Sequence, residues 1–284
     1  MEKFYIAVLN SISRIGTKTT QKLIEIFGSA ENVWRADFSQ FQNIEMNQTA
    51  RENFFEYRRK NPNAVEKLID FCNVKKIKIC SIYDENYPPL LKEVSNAPIV
   101  FYYRGTIFPN AERIAIVGSR NATNYGEKVS SMLASELSAE GFTIVSGAAN
   151  GIDTFAHKAA SRTVAVLGYG INKIPADKVK LFEEIVATGG VVLSEFPPNM
   201  EGSSKTFPAR NRIIAGLSSG IVVVEAGEKS GALIAAKFAA DNFRKVFAVP
   251  NNIFAENGAG CHKLIREGAI LFSDVSDILK HYKN

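Results

Sequence analysis

Short apolar runs separated by amphipathic stretches fill the chain from residue 113 onward, near 113–117, 142–145, 163–167, 191–194, 221–225, 245–249 and 269–272. Runs this short, bounded by turn residues, predict buried strands. Between the first two, Val129, Met132, Leu133 and Leu137 recur at helical spacing and Gly141 stops the helix. The alternation predicts an α/β fold, a Rossmann-like doubly wound, mostly parallel sheet. Residues 1 to about 60 read differently. An apolar stretch, Phe4 to Asn10, leads through a hairpin-like loop into a helix from Lys18 to Phe27 that Gly28 closes. Asn61-Pro62-Asn63 is turn chemistry and places a boundary, giving a small helical domain over 1–62 and the α/β domain over 63–284. From Ala64 to Gly105 the pattern predicts a helix ending near Cys72, a strand from Ile77 to Ile82 and a turn-rich lead-in to the sheet.

The turns after the strands hold the candidate chemistry. Gly118-Ser119-Arg120 follows the strand 113–117, and strand ends are where doubly wound folds hold ligands. Glycine allows close backbone approach, serine and free amides donate to an anion, and arginine supplies a forked cation suited to phosphate. Lys205, Arg210 and Arg212 add cations ahead of an apolar helix beginning at Ile213, with Phe207 as a stacking face for an unpaired base. Taken singly, each is better explained as a solvated charge or a core aromatic; together with Arg120 they point to a polyanion site. Arg120, Lys205 and Arg210 read as turn or helix-start residues whose charge reversal leaves the fold intact.

Ser146-Gly147 follows another strand, and Asp153 heads the next helix as an acidic cap. Asp153 and His157, four apart, read as a hydrogen-bonded structural pair in preference to metal ligands. Glu195 and Glu225, also at strand ends, read as carboxylates that orient arginines, with acid–base catalysis as the minority reading.

Composition narrows the function classes. Hydrophobic residues make up 46% of the chain without a long apolar run, and no secretion signal opens it, so the expectation is a cytoplasmic protein with no membrane span. Lys+Arg number 34 against 29 Asp+Glu, an excess that matters only where the bases cluster. Cys72, Cys80 and Cys261 lack zinc-site spacing and read as ordinary thiols. Gly168-x-Gly170 lacks the third glycine of a dinucleotide fingerprint, no Walker pattern occurs, and no nucleophile is paired with a base. No cofactor and no metal are expected.

In order along the chain, Gly118-Ser-Arg120, Ser146-Gly147, Gly151-Ile-Asp153 with His157, Ser194-Glu195, Phe207-Pro-x-Arg-Asn-Arg-Ile-Ile-Ala-Gly-Leu-Ser218, Val224-Glu-Ala226, Ser230-Gly-Ala-Leu233 and Val246-Phe-Ala-Val-Pro250 resemble the DprA/Smf family of bacterial DNA-processing proteins. The resemblance covers roughly Ile79 to the C-terminus, and the N-terminal part is similar to that family's sterile-alpha-motif-like domain. It implies a non-enzymatic binder of single-stranded DNA in natural transformation that protects incoming strands and helps load the RecA recombinase, with single-strand-binding protein as a further partner. The implied DNA-binding set is Gly118, Ser119, Arg120, Ser146, Gly147, Lys205, Phe207, Arg210, Asn211 and Arg212. It also implies a homodimer, with Leu264 and Ile265 as interface residues. The sequence departs from the family at the short link between His157 and Thr163, at Ile174-Pro175, at Asn251 after Pro250 and at Cys261-His262, and it ends without the winged-helix domain of many relatives. A nucleotide-binding or nucleotide-hydrolysing Rossmann-like enzyme using Glu195 and Glu225 stays open as the alternative. A dinucleotide-dependent oxidoreductase is disfavoured by the missing fingerprint.

Overall fold

The computed structural model describes residues 1–283. Six helices come first: α1 (Glu2–Ser11), α2 (Thr17–Phe27), α3 (Ala30–Arg35), α4 (Phe38–Phe41), α5 (Gln48–Lys60) and α6 (Ala64–Val74). Gly28 ends α2 at φ 81°, a left-handed cap that glycine adopts without a Cβ penalty. Phe41 stacks on Phe54, Phe55 meets both edge-on, and Trp34 meets Phe54 edge-on, so aromatics fill the helical layer. Helix α1 packs on α6.

The remaining elements are β1 (Lys78–Ser81), α7 (Pro89–Lys92), β2 (Val100–Gly105), β3 (Arg113–Val117), α8 (Asn124–Ala139), β4 (Thr143–Ser146), α9 (Ile152–Ala159), β5 (Thr163–Val166), α10 (Val179–Ala187), β6 (Val191–Ser194), α11 (Thr206–Leu217), β7 (Gly220–Val223), α12 (Gly231–Asp241), β8 (Lys245–Ala248), α13 (Ala259–Arg266), β9 (Ile270–Leu271) and α14 (Ser276–Leu279). They form one nine-stranded sheet in the order β1-β2-β6-β5-β4-β3-β7-β8-β9. From β6 to β9 every pairing is parallel, while β1–β2 and β2–β6 are antiparallel. The segment read as a lead-in therefore supplies two strands of the sheet itself. The inner strands β3, β4, β5, β6 and β7 are buried at every position, as strands covered on both faces must be.

Strand β3 pairs with β4 on one side and β7 on the other, so the winding reverses beside it. That reversal opens a crevice at the C-terminal ends of the strands. One buried cluster runs from Tyr5 through the sheet to Cys261, joining the helical layer to one sheet face; a second, centred on Ile114, Leu133, Phe247 and Ile278, fills the other.

Candidate functional site

An open cleft of about 700 Å³ occupies that crevice. Gly118, Ser119, Arg120, Phe207, Arg210 and Asn211 line it, joined by Asn121, Asp153, Lys229 and Gly231. The volume falls within the range of small-ligand pockets. Gly118 is required where it stands: a Cβ there would lie 2.6 Å from the Ile152 side chain and 2.9 Å from the Glu225 carbonyl oxygen. Ser119 Oγ accepts from Asn121 N–H at 3.1 Å, and Asn257 Nδ2 donates to the Asn121 carbonyl at 2.8 Å, which fixes the turn that presents Arg120.

Arg120 is exposed, and its Cζ stands 5.5 Å from the centroid of the half-buried Phe207 ring. A guanidinium over an aromatic face is attracted by the ring quadrupole. Phe207 is held from behind, since a Cβ on Gly168 would meet its Cδ1 at 2.6 Å and Tyr169 approaches edge-on at 6.4 Å. Lys205 is exposed at the N-terminal end of α11, between the cleft-lining Ser204 and Phe207.

Helix α11 begins at Thr206, earlier than the sequence pattern suggests, with Pro208 in its first turn where no amide is needed. Arg210 and Arg212 are thus both helical, and residues two apart face different sides. Arg210 is only 5% exposed and donates to the Gly147 and Val166 carbonyls, its Nε reaching Asn211 Oδ1 at 3.2 Å. Its guanidinium forms the cleft wall and braces the ends of β4 and β5. The expectation that it tolerates charge reversal is therefore corrected. Arg212 leaves the cleft altogether: it grips Glu195 bidentately at 2.8 and 2.5 Å and borders a separate cleft beside α2. Asn211 faces the cleft and donates from Nδ2 to the Gly231 carbonyl at 3.0 Å, tying α11 to the start of α12.

Ser146 is fully buried and its hydroxyl donates to the Ile116 carbonyl at 2.6 Å, so it joins β4 to β3 and does not line the cleft. Gly147 makes room for Arg210, because a Cβ would lie 2.6 Å from its Nη1. Asp153 accepts from Gly147 and Ala149 N–H at 3.2 and 3.3 Å, shaping the loop instead of bonding His157. Burial pushes its carboxyl up from the ordinary carboxylate range, while Arg210 and these amides pull it back. Burial likewise lowers the Arg210 guanidinium, opposed by Asp153. His157 Nδ1 lies 2.7 Å from Thr163 Oγ1, its Nε2 has no partner among the described residues, and burial depresses the ring to about 3.

Glu195 orients an arginine as expected, but Glu225 does not. Fully buried, Glu225 accepts from Thr123 N–H at 3.0 Å and Thr123 Oγ1–H at 2.6 Å, anchoring the start of α8. Lys229 and Asn121 were not singled out by the sequence. Both follow strand ends, in the turns after β7 and β3, and that position was the available signal. The three cysteines are free and buried, and burial pushes their thiols up to about 11 for Cys72 and about 12 for Cys80 and Cys261. No metal-binding group of three or more His, Cys, Asp or Glu occurs among the described residues. Nor is any helix among them long and apolar enough to cross a membrane.

Leu264 and Ile265 sit half-buried on α13. Leu264 borders an open groove of about 960 Å³ in which Leu233, Ile234, Ile270 and Phe243, the last 98% exposed, are mixed with charged residues such as Lys237, Arg244 and Glu267.

A nine-stranded, mostly parallel sheet with an open cleft at its switch point, carrying an aromatic ring under an arginine, defines a class: a Rossmann-like α/β protein. Within it, the chain belongs to the DNA recombination-mediator protein A family, whose sequence pattern matches residues 78–283. Protein Smf of Synechocystis is 35% identical over 288 residues, covering 98% of this chain and 72% of the relative. DNA processing protein DprA of Streptococcus pneumoniae is 40% identical over 215 residues, 72% of this chain and 73% of the relative. The X-ray structure of DprA from Streptococcus pneumoniae superposes with a TM-score of 0.80 at 31% identity, covering 100% of this chain and 99% of that one. DNA processing protein A of Helicobacter pylori, whose structure describes a single-stranded DNA binding mode, gives 0.65 at 26% identity over 72% and 95% of the two chains.

Proposed function

We propose that this chain binds single-stranded DNA in the cleft, Arg120, Lys205 and Lys229 meeting phosphates and Phe207 meeting a base. The observation that carries the reading is the Arg120–Phe207 pair at the switch point: cation and aromatic ring lie together beside glycine turns that let a backbone approach. The description printed for the Helicobacter relative supports the choice of ligand. Arg210, Gly147 and Asp153 hold the cleft in shape.

Binding without turnover is the better reading because the carboxylates are committed elsewhere. Glu195 is paired with Arg212, Glu225 anchors Thr123, and Asp153 accepts two backbone amides. Family membership supports a place in natural transformation, protecting the strand and passing it to the RecA recombinase, from a homodimer built through the groove at Leu264. The test is direct. Phe207→Leu and Lys205→Glu should each lose at least about tenfold in single-strand affinity, about the size of one stacked base. Turnover of a nucleotide by wild type that vanishes in Glu195→Gln or Glu225→Gln would establish the enzyme reading instead.

A further inference from the structure

We propose a second, small-anion site at the opposite end of the sheet, between Arg113 and Arg162, sized for a monoanion such as chloride or formate. Arg113 opens β3 and pairs in register with Thr143 of β4, so both side chains stand on the same sheet face. Both are 3% exposed, and both line a cavity of about 20 Å³ whose other walls include Phe101, Val164 and Leu193. Room of that size admits about one or two water-sized occupants.

Its polar atoms are unfinished. Arg113 spends Nη1 and Nη2 on the Pro109 and Phe108 carbonyls, but its Nε is buried without a partner, as is Thr143 Oγ1. Arg162 completes the wall, its Cζ 4.8 Å from the Phe108 ring centroid. Among the described residues neither arginine has a carboxylate within 4.0 Å, although twelve ion pairs form elsewhere. A buried, unneutralised guanidinium is costly, and Arg113 is one, sharing this apolar-walled cavity with the half-buried Arg162. Burial first and the Arg162 charge second lower Arg113 to about 10, with the neighbouring Glu112 carboxylate only partly opposing them. One small anion supplies the missing charge and accepts from both orphan donors. A phosphate diester of a DNA strand is too large for this space, so the site is separate from the cleft and independent of the function proposed there.

Crystals of the full chain soaked in bromide should show an anomalous peak within hydrogen-bonding distance of Arg113 Nε and Thr143 Oγ1. In solution, melting at constant ionic strength should rise by about 2 °C or more when bulky gluconate is replaced by chloride or formate. Thr143→Val, which removes one donor at nearly constant volume, and Arg162→Gln should abolish that anion-specific rise while still folding and binding DNA. A cavity containing only water in the bromide crystals, or melting that follows ionic strength equally in all three salts, would overturn the assignment.

Discussion

Two arginines that look equivalent in the sequence do different work once burial is known. Arg120 is exposed and free to meet a ligand, whereas Arg210 is enclosed and satisfies two carbonyls at strand ends. Arg120→Glu should therefore weaken DNA binding while shifting stability by less than about 1 kcal/mol. Arg210→Ala should cost about 3–5 kcal/mol, because it strands buried carbonyls and leaves Asp153 without its counter-charge. Thermal melting beside a binding titration separates the two. If Arg120→Glu also melts far below wild type, Arg120 is structural and the site is misassigned. What hid this difference in the sequence was the start of α11: with a helix from Ile213, Arg210 and Arg212 sit together on a turn, but a helix from Thr206 sends one into the cleft wall and the other to Glu195. The Asp153–His157 spacing misled in the same way, since four residues on a helix permit a contact that Thr163 and the loop amides in fact take. Asn251 and His262, two departures from the family pattern, touch each other, with His262 Nε2 2.9 Å from the Asn251 carbonyl oxygen. Asn251 is not in the left-handed region that would have favoured glycine there.

At the level of elements, the run 113–117 became β3 without change, and Gly28 closed α2 as its conformational freedom predicts. Strand β2 was not anticipated. The run Ile99 to Tyr103 is apolar enough for a strand, but its place depends on antiparallel pairing with β6, some ninety residues away, which no local pattern encodes. Helix α9 makes a testable element, because His157 is buried on it. Unfolded, the imidazole takes a proton below about pH 6.5; folded, it resists until about 3. The unfolded state thus binds more protons across that window, and stability falls as the pH drops through it. Between about pH 7 and pH 5 the loss attributable to this group should be about 2 kcal/mol. Denaturant titrations at both values should show it, and His157→Leu should flatten the difference whatever its absolute stability. An unchanged slope in that variant would show that other groups carry the acid sensitivity.

For the whole molecule, the proposed homodimer would use the groove at Leu264, Phe243 and Ile270 to bring two clefts together. A strand spanning both clefts should bind more tightly than one filling a single cleft, through effective concentration and without new contacts. Light scattering and affinity against oligonucleotide length should show a dimer with length-dependent binding, both lost in Leu264→Glu. A monomeric wild type, or affinity independent of length, would refute the paired arrangement. The nature of the ligand is more central still, and is read most directly from fluorescence anisotropy of the same oligonucleotide as single strand and as duplex across a salt series. The cleft predicts a single-strand preference of at least about tenfold, because Phe207 can stack only on an exposed base. It also predicts log affinity falling with log salt by about 0.7 per phosphate contacted. Equal binding of single strand and duplex at moderate salt would contradict the account.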